Sequence, residues 1–197
     1  PQKVVFQPIV TKCIQRMMNQ ENPAARKAGI ASLGVVAEGC AEKLVDHLKE
    51  IMPYVLQCGN DSDPQVRECT CFCLGQLAEH CQPEILDYAD VIIPTVLRLL
   101  DDKSVDIQTT SCYVLECFFE HLESDSVEPY LETLMGKLVG MLQVATRKCV
   151  QEMSVAAIAA TSIAAGTKFI PYLPPVAALM QKLMSLAQYS LVSEPFF

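Results

Sequence analysis

Residues 61–81 read DSDPQVRECTCFCLGQLAEHC, and their spacing decides the fold. Val66, Cys69, Thr70, Cys73, Leu74 and Leu77 fall at i, i+3, i+4, i+7, i+8 and i+11, a single apolar stripe along a helix of about four turns. Asp63-Pro64 opens that helix: an aspartate can accept from the first free N–H groups, and proline tolerates the first helical position because its missing N–H has no partner there. Moving outward by 41 residues in either direction, the pattern returns. Pro23, Arg26, Leu33, Gly34, Ala37, Glu38 and Cys40 match Pro64, Arg67, Leu74, Gly75, Ala78, Glu79 and Cys81. Asp46, Ile51, Pro53, Val55 and Leu56 then match Asp87, Ile92, Pro94, Val96 and Leu97. The same shift carries Cys71, Leu74, Glu79, His80 and Leu97 onto Cys112, Leu115, Glu120, His121 and Leu138, and a shift of 42 carries Pro129-Tyr130-Leu131 onto Pro171-Tyr172-Leu173.

A period near 41 without strand signals predicts an all-α solenoid built from helical hairpins of the HEAT/armadillo kind. Each unit is an A helix followed by a B helix, with turns at 19–22, 59–63, 101–104 and 143–147. A helices start near Val4, Leu44, Glu84 and Glu128, and a fifth runs from about Phe169 to Leu186. The array is read as about four and a half repeats, 1–39, 40–81, 82–122, 123–166 and a partial 167–197, cut from a longer chain. Pro53 and Pro94 fall inside A helices and bend them.

Composition narrows the function. The 197 residues are 51% hydrophobic and 19% charged, ample for a core and unlike a disordered chain. The longest apolar runs fall short of the roughly 18–20 residues of a membrane span. The ten cysteines lie in helix-like segments, which reads as reduced thiols in cytosol or nucleus rather than a disulfide framework. A net charge of −8 argues against a nucleic-acid backbone as direct partner and for a basic protein. The charge is also segregated: seven basic and five acidic groups in residues 1–59, three and sixteen in 60–135, five and two in 136–197.

Two glutamates of that acidic centre, Glu79 and Glu120, hold with Glu38 of the preceding flank one repeat-equivalent position near the ends of three B helices. Stacking aligns them. They are either ordinary solvated surface or a row of like charges that draws a cationic partner. Tyr113 and Glu116 share a face with Glu120, and the turn acids Asp101, Asp102 and Asp106 extend the negative surface. Arg26 and Arg67, just inside their B helices after acidic turns, are expected to bridge neighbouring repeats.

Cys69, Cys71, Cys73 and His80 invite a zinc reading, but seven residues of helix separate Cys73 from His80 by about 10 Å, too far for ligands of one ion. These thiols are expected in the core, with Cys71 and Cys112 nearer the concave surface. No phosphate loop, dinucleotide fingerprint, zincin helix or nucleophile elbow occurs, and His47, His80 and His121 are spaced like helix ends. No catalytic residues, metal or cofactor are expected.

The string from Asp61 resembles the HEAT signature, with aspartate, Val-Arg, small residues and Leu-Gly in order. Beyond the motif, AGIASLGVVAEGCAEKL, DPQVRECTCFCLGQLAEHCQPEI and IPYLPPVAALMQKL resemble the central repeats of the karyopherin-β (importin-β) superfamily, in the branch of importins 4 and 5, over about Val10 to Met184. Gln108 at the arginine position and Leu115-Glu116 in place of Leu-Gly depart from the pattern. The resemblance implies a non-enzymatic nuclear transport receptor that shuttles between cytoplasm and nucleus. It also implies basic protein cargo on a concave B-helix face, phenylalanine-glycine nucleoporins docking between A helices, and release by Ran-GTP, with no membrane insertion. The competing reading is a constitutive HEAT scaffold, such as a phosphatase or ubiquitin-ligase regulatory subunit.

Overall fold

The computed structural model describes the backbone of residues 3–193 and the side chains of residues 6–185. Among them are nine α-helices: α1 (Lys3–Met17), α2 (Pro23–Leu44), α3 (Leu48–Cys58), α4 (Pro64–His80), α5 (Ala89–Leu99), α6 (Val105–Phe119), α7 (Ser124–Val144), α8 (Lys148–Ala165) and α9 (Leu173–Ser193). No strand occurs among the described residues. The chain is an all-α solenoid: α1/α2, α3/α4, α5/α6 and α7/α8 pack as successive pairs, and α9 follows. Three 3₁₀ segments, Val45–His47, Glu84–Tyr88 and Gly166–Tyr172, turn each of α2, α4 and α8 into the next A helix.

Local chemistry sets the helix starts. The Asn22 side chain accepts from the N–H groups of Ala24 and Ala25, and the Asp63 side chain accepts from those of Gln65 and Val66 at 2.8 and 3.3 Å. Pro23 and Pro64 occupy the next position in both. α6 and α8 begin at Ser104 and Arg147 without such a side-chain cap. The fourth A helix starts at Ser124, four residues ahead of the expected Glu128, so that Pro129 lies inside α7, as Pro53 lies inside α3 and Pro94 inside α5.

Packing between successive pairs runs chiefly through α2 against α4, α4 against α6 and α6 against α8. A continuous core results, with Ile30, Leu33, Leu74, Leu77, Leu115 and Phe118 among its fully enclosed members. Two glycines permit the close approach. A Cβ on Gly34 would lie 2.8 Å from the Phe72 ring, and one on Gly75 would lie 2.2 Å from Cε1 of Tyr113. The Leu-Gly step of the repeat is therefore a seat for an aromatic ring from the following B helix.

The stretch Lys148–Ser185 is apolar enough by length and composition to cross a bilayer, contrary to the expectation from its individual runs. It is not one span. α8 packs against α6 and α7, and Gly166, at φ 54° in the left-handed region that favours glycine, breaks the helix before α9.

Candidate functional site: the acidic face of the B helices

The cross-repeat scaffold of this face is a ladder. Arg26 in α2 donates through Nε and Nη2 to Asp61 at 2.5 and 2.8 Å, and through Nη1 to the carbonyls of Asn19 and Gln20. Arg67 in α4 repeats the pattern, donating to Asp102 at 2.7 and 3.1 Å and to the carbonyls of Asp61 and Ser62. Each rung is bidentate, so it fixes direction as well as distance. The carboxylates are mostly sheltered, at 8% and 10% side-chain exposure. The guanidinium bonds hold both carboxyls below the ordinary carboxylate value. Asp102, expected among the acids facing a partner, is thus committed to Arg67.

The other candidates occupy different settings. Glu38, Glu79, Glu116 and Glu120 are all exposed on the B-helix side. Glu38, Glu116 and Glu120 form no hydrogen bond or ion pair with described residues. Glu79 is held: Tyr113 Oη donates to its Oε2 at 2.9 Å and accepts from Gln76 Nε2 at 3.0 Å. Burial, reinforced by the bond to Glu79, pushes the Tyr113 hydroxyl pKa up, so it remains a donor at neutral pH. Seated on Gly75, Tyr113 bonds one carboxylate oxygen of Glu79, and the other accepts no hydrogen bond from a described residue. Asp101 pairs with Lys137, and Asp106 with Arg147 at 3.4 Å. Lys168 reaches both Asp125 and Glu128 at 2.6 Å. Four cations from the flanks of the sequence, Arg26, Lys137, Arg147 and Lys168, therefore offset part of the central negative charge across the repeats, and the end-of-helix glutamates are among the acids that keep theirs.

Sequence reasoning missed Phe72, which stands 36% exposed beside Gly34 and precedes Tyr113 by one period. That spacing was the available signal. The cysteines differ from expectation in one respect: Cys71 and Cys112 are fully buried between B helices, not near the surface, with Cys71 Sγ 3.4 Å from Ser111 Oγ. Small side chains on the stacking face let neighbouring B helices close over them. Burial pushes Cys71 up to about 11 and Cys112 up to about 12, so both stay protonated thiols at neutral pH. Among the described residues no three His, Cys, Asp or Glu side chains converge as metal ligands.

Comparison with known proteins places this architecture. A model of the HEAT-like repeat matches residues 23–77. None of the curated proteins matches the chain. A crystal structure of Kap121p superposes with a TM-score of 0.83 at 30% identity, over 90% of this chain and 17% of that one. The karyopherin Kap121p bound to the SUMO protease Ulp1p matches with a TM-score of 0.83 at 30% identity, over 89% of this chain and 17% of that one. Kap121p bound to RanGTP matches with 0.81 at 30% identity, over 90% and 18%. The chain thus spans about a sixth of the length of these structures.

Proposed function

Because this chain is a HEAT-repeat array of the karyopherin-β superfamily, we propose that it is a segment of a nuclear transport receptor that holds basic protein cargo on the face formed by α2, α4, α6 and α8. The observation that carries the reading is the contrast among its acids. Glu38, Glu116 and Glu120 stand exposed without an ion-pair or hydrogen-bond partner among the described residues, and Glu79 is oriented by Tyr113. Carboxylates spared from intramolecular pairing on one face raise the local potential and favour encounter with lysine- and arginine-rich segments. Asp101 and Asp106 add to the field from exposed, long-reach pairs that an incoming cation can replace.

The resemblance of its repeat sequences supports the branch of importins 4 and 5 as the finer reading, with cytoplasm and nucleus as the setting and phenylalanine-glycine nucleoporins and Ran-GTP as further partners. The reading involves no catalytic step and no cofactor. Its support is the kinship of fold together with the carboxylate row, and neither metal nor nucleic acid is needed to satisfy that row.

The test is a titration of the chain with a lysine-rich peptide and with an acidic peptide of equal length, at two salt concentrations. The reading predicts saturable binding of the basic peptide only, weakened by salt because the attraction acts over a Debye length of about 8 Å at physiological ionic strength. Equal affinity for both peptides, or binding indifferent to salt, contradicts it.

A further inference from the structure

The ladder described above stops after two rungs, and it stops on both sides at once. Register is set by the backbone: Arg67 donates to the carbonyl six residues before it, Asp61, and Gln108 does the same to Asp102 at 2.8 Å, as does Gln151 to Ala145 at 2.9 Å. Ala145 is therefore the counterpart of Asp61 and Asp102, and Gln108 the counterpart of Arg26 and Arg67. A third rung would join positions 108 and 145. The guanidinium and the carboxylate that would form it are both absent, so no orphaned charge is left behind.

A second lock is lost at the same joint. Between the first and second pairs Phe72 sits on Gly34, and between the second and third Tyr113 sits on Gly75. At the next joint the glycine position is Glu116, which is exposed, and α8 carries no aromatic residue to cover it. The buried part of α8 is instead mostly small, with Ser154, Ala157, Ala160, Thr161, Ala164 and Ala165 beside the larger Val150 and Ile158. α6 and α8 pack closely, but over a smooth surface. The ion pairs that do cross here, Lys137–Asp101 and Arg147–Asp106, have exposed carboxylates and long cationic side chains that can follow a displacement.

We infer that the joint between the α5/α6 and α7/α8 pairs is a built-in shear joint: α1–α6 move as one body, and α7/α8 slides against it along the smooth α6–α8 interface. Shear of closely packed helices is a recognised route to large motion because each step keeps the apolar surfaces covered. A receptor that closes around a partner would find its compliance here, and the first two joints would keep the glutamate row in register.

The experiment uses pairs of labels introduced through an unnatural amino acid, since the chain has ten cysteines. Lys49 in α3, Val91 in α5 and Thr133 in α7 are exposed and one repeat apart. Distance distributions are measured for Lys49/Val91, across a locked joint, and for Val91/Thr133, across the proposed shear joint. The expected result is a Val91/Thr133 distribution about twofold wider. Installing the rung with Gln108→Arg and Ala145→Asp together narrows it to the Lys49/Val91 width. Removing a rung with Arg67→Gln and Asp102→Ala widens Lys49/Val91 to match, and decides the matter if the first variant fails to fold. Equal widths in the parent chain, or widths indifferent to both double variants, overturn the inference.

Discussion

Two sets of carboxylates recur along this chain with the same period of 41 residues and meet opposite fates. Asp61 and Asp102 lie in the turns, sheltered and clasped by Arg26 and Arg67. Glu38, Glu79 and Glu120 lie at the far ends of the B helices, exposed, with one of the three bound only by a tyrosine. Periodicity marks position, and the partner within reach decides the work: the turn acids join repeats, and the helix-end acids are left to whatever arrives from outside.

The sharpest way to break the comparison is to orphan a turn acid. Arg67→Ala leaves Asp102 partly sheltered without its guanidinium and frees the carbonyls of Asp61 and Ser62. We expect a loss of about 2–3 kcal/mol, between the small value of an exposed pair and that of a fully buried one. The double change Arg67→Gln with Asp102→Ala, which copies the natural Gln108/Ala145 arrangement, should cost less than Arg67→Ala alone. Urea denaturation midpoints read both, and a double variant less stable than the single would contradict the rung.

Next in size is the seat of Tyr113. Gly75→Ala forces the ring aside and should cost roughly 1–3 kcal/mol by overpacking. Gly140→Ala in α7, where a Cβ meets nothing within 4 Å, should instead raise stability by roughly 0.5–1 kcal/mol through helix propensity. Thermal melts of the two variants should therefore shift in opposite directions.

Acid sharpens the comparison further. The rung carboxyls have lower pKa values folded than unfolded, so their contribution is complete above the ordinary value of 3.8 and disappears as pH falls through the lowered folded values. Stability of the parent chain should fall more steeply below that value than stability of the Arg67→Gln/Asp102→Ala variant, as read by urea melts at successive pH values. Parallel curves would deny Asp102 its role. The smallest effect belongs to the helix ends: Glu38→Gln, Glu79→Gln and Glu120→Gln together should change stability by no more than about 0.5 kcal/mol per site, since exposed groups contribute little.

Much of the architecture is legible in the residues themselves. The apolar stripe from Val66 to Leu77, the Asp63-Pro64 start and the 41-residue shift place the second B helix where α4 lies, because helix periodicity and capping are local properties. What lies across a joint is harder to read. Asp102 and Asp106 are both turn acids in sequence, yet one is bound by Arg67 and the other faces Arg147 on the surface. Nothing local distinguishes them, since their partners are some 35 to 41 residues away. Cys71 offered the same difficulty: facing away from Cys69 and Cys73, it could point to solvent or to a neighbouring helix, and only the closeness of α4 to α6 buries it.

The central claim is that the helix-end glutamates receive a basic partner and the clasped turn acids Asp61 and Asp102 do not. The direct measurement is isothermal titration of a lysine-rich peptide into the parent chain, into the Glu38→Gln/Glu79→Gln/Glu120→Gln variant and into the Arg67→Gln/Asp102→Ala variant, with folding of each confirmed by circular dichroism. The account predicts a loss of roughly 1–3 kcal/mol, up to about a hundredfold in Kd, for the glutamine variant, and a much smaller change for the rung variant. Unchanged affinity in the glutamine variant for every basic peptide tried would contradict it and leave the row as ordinary solvated surface.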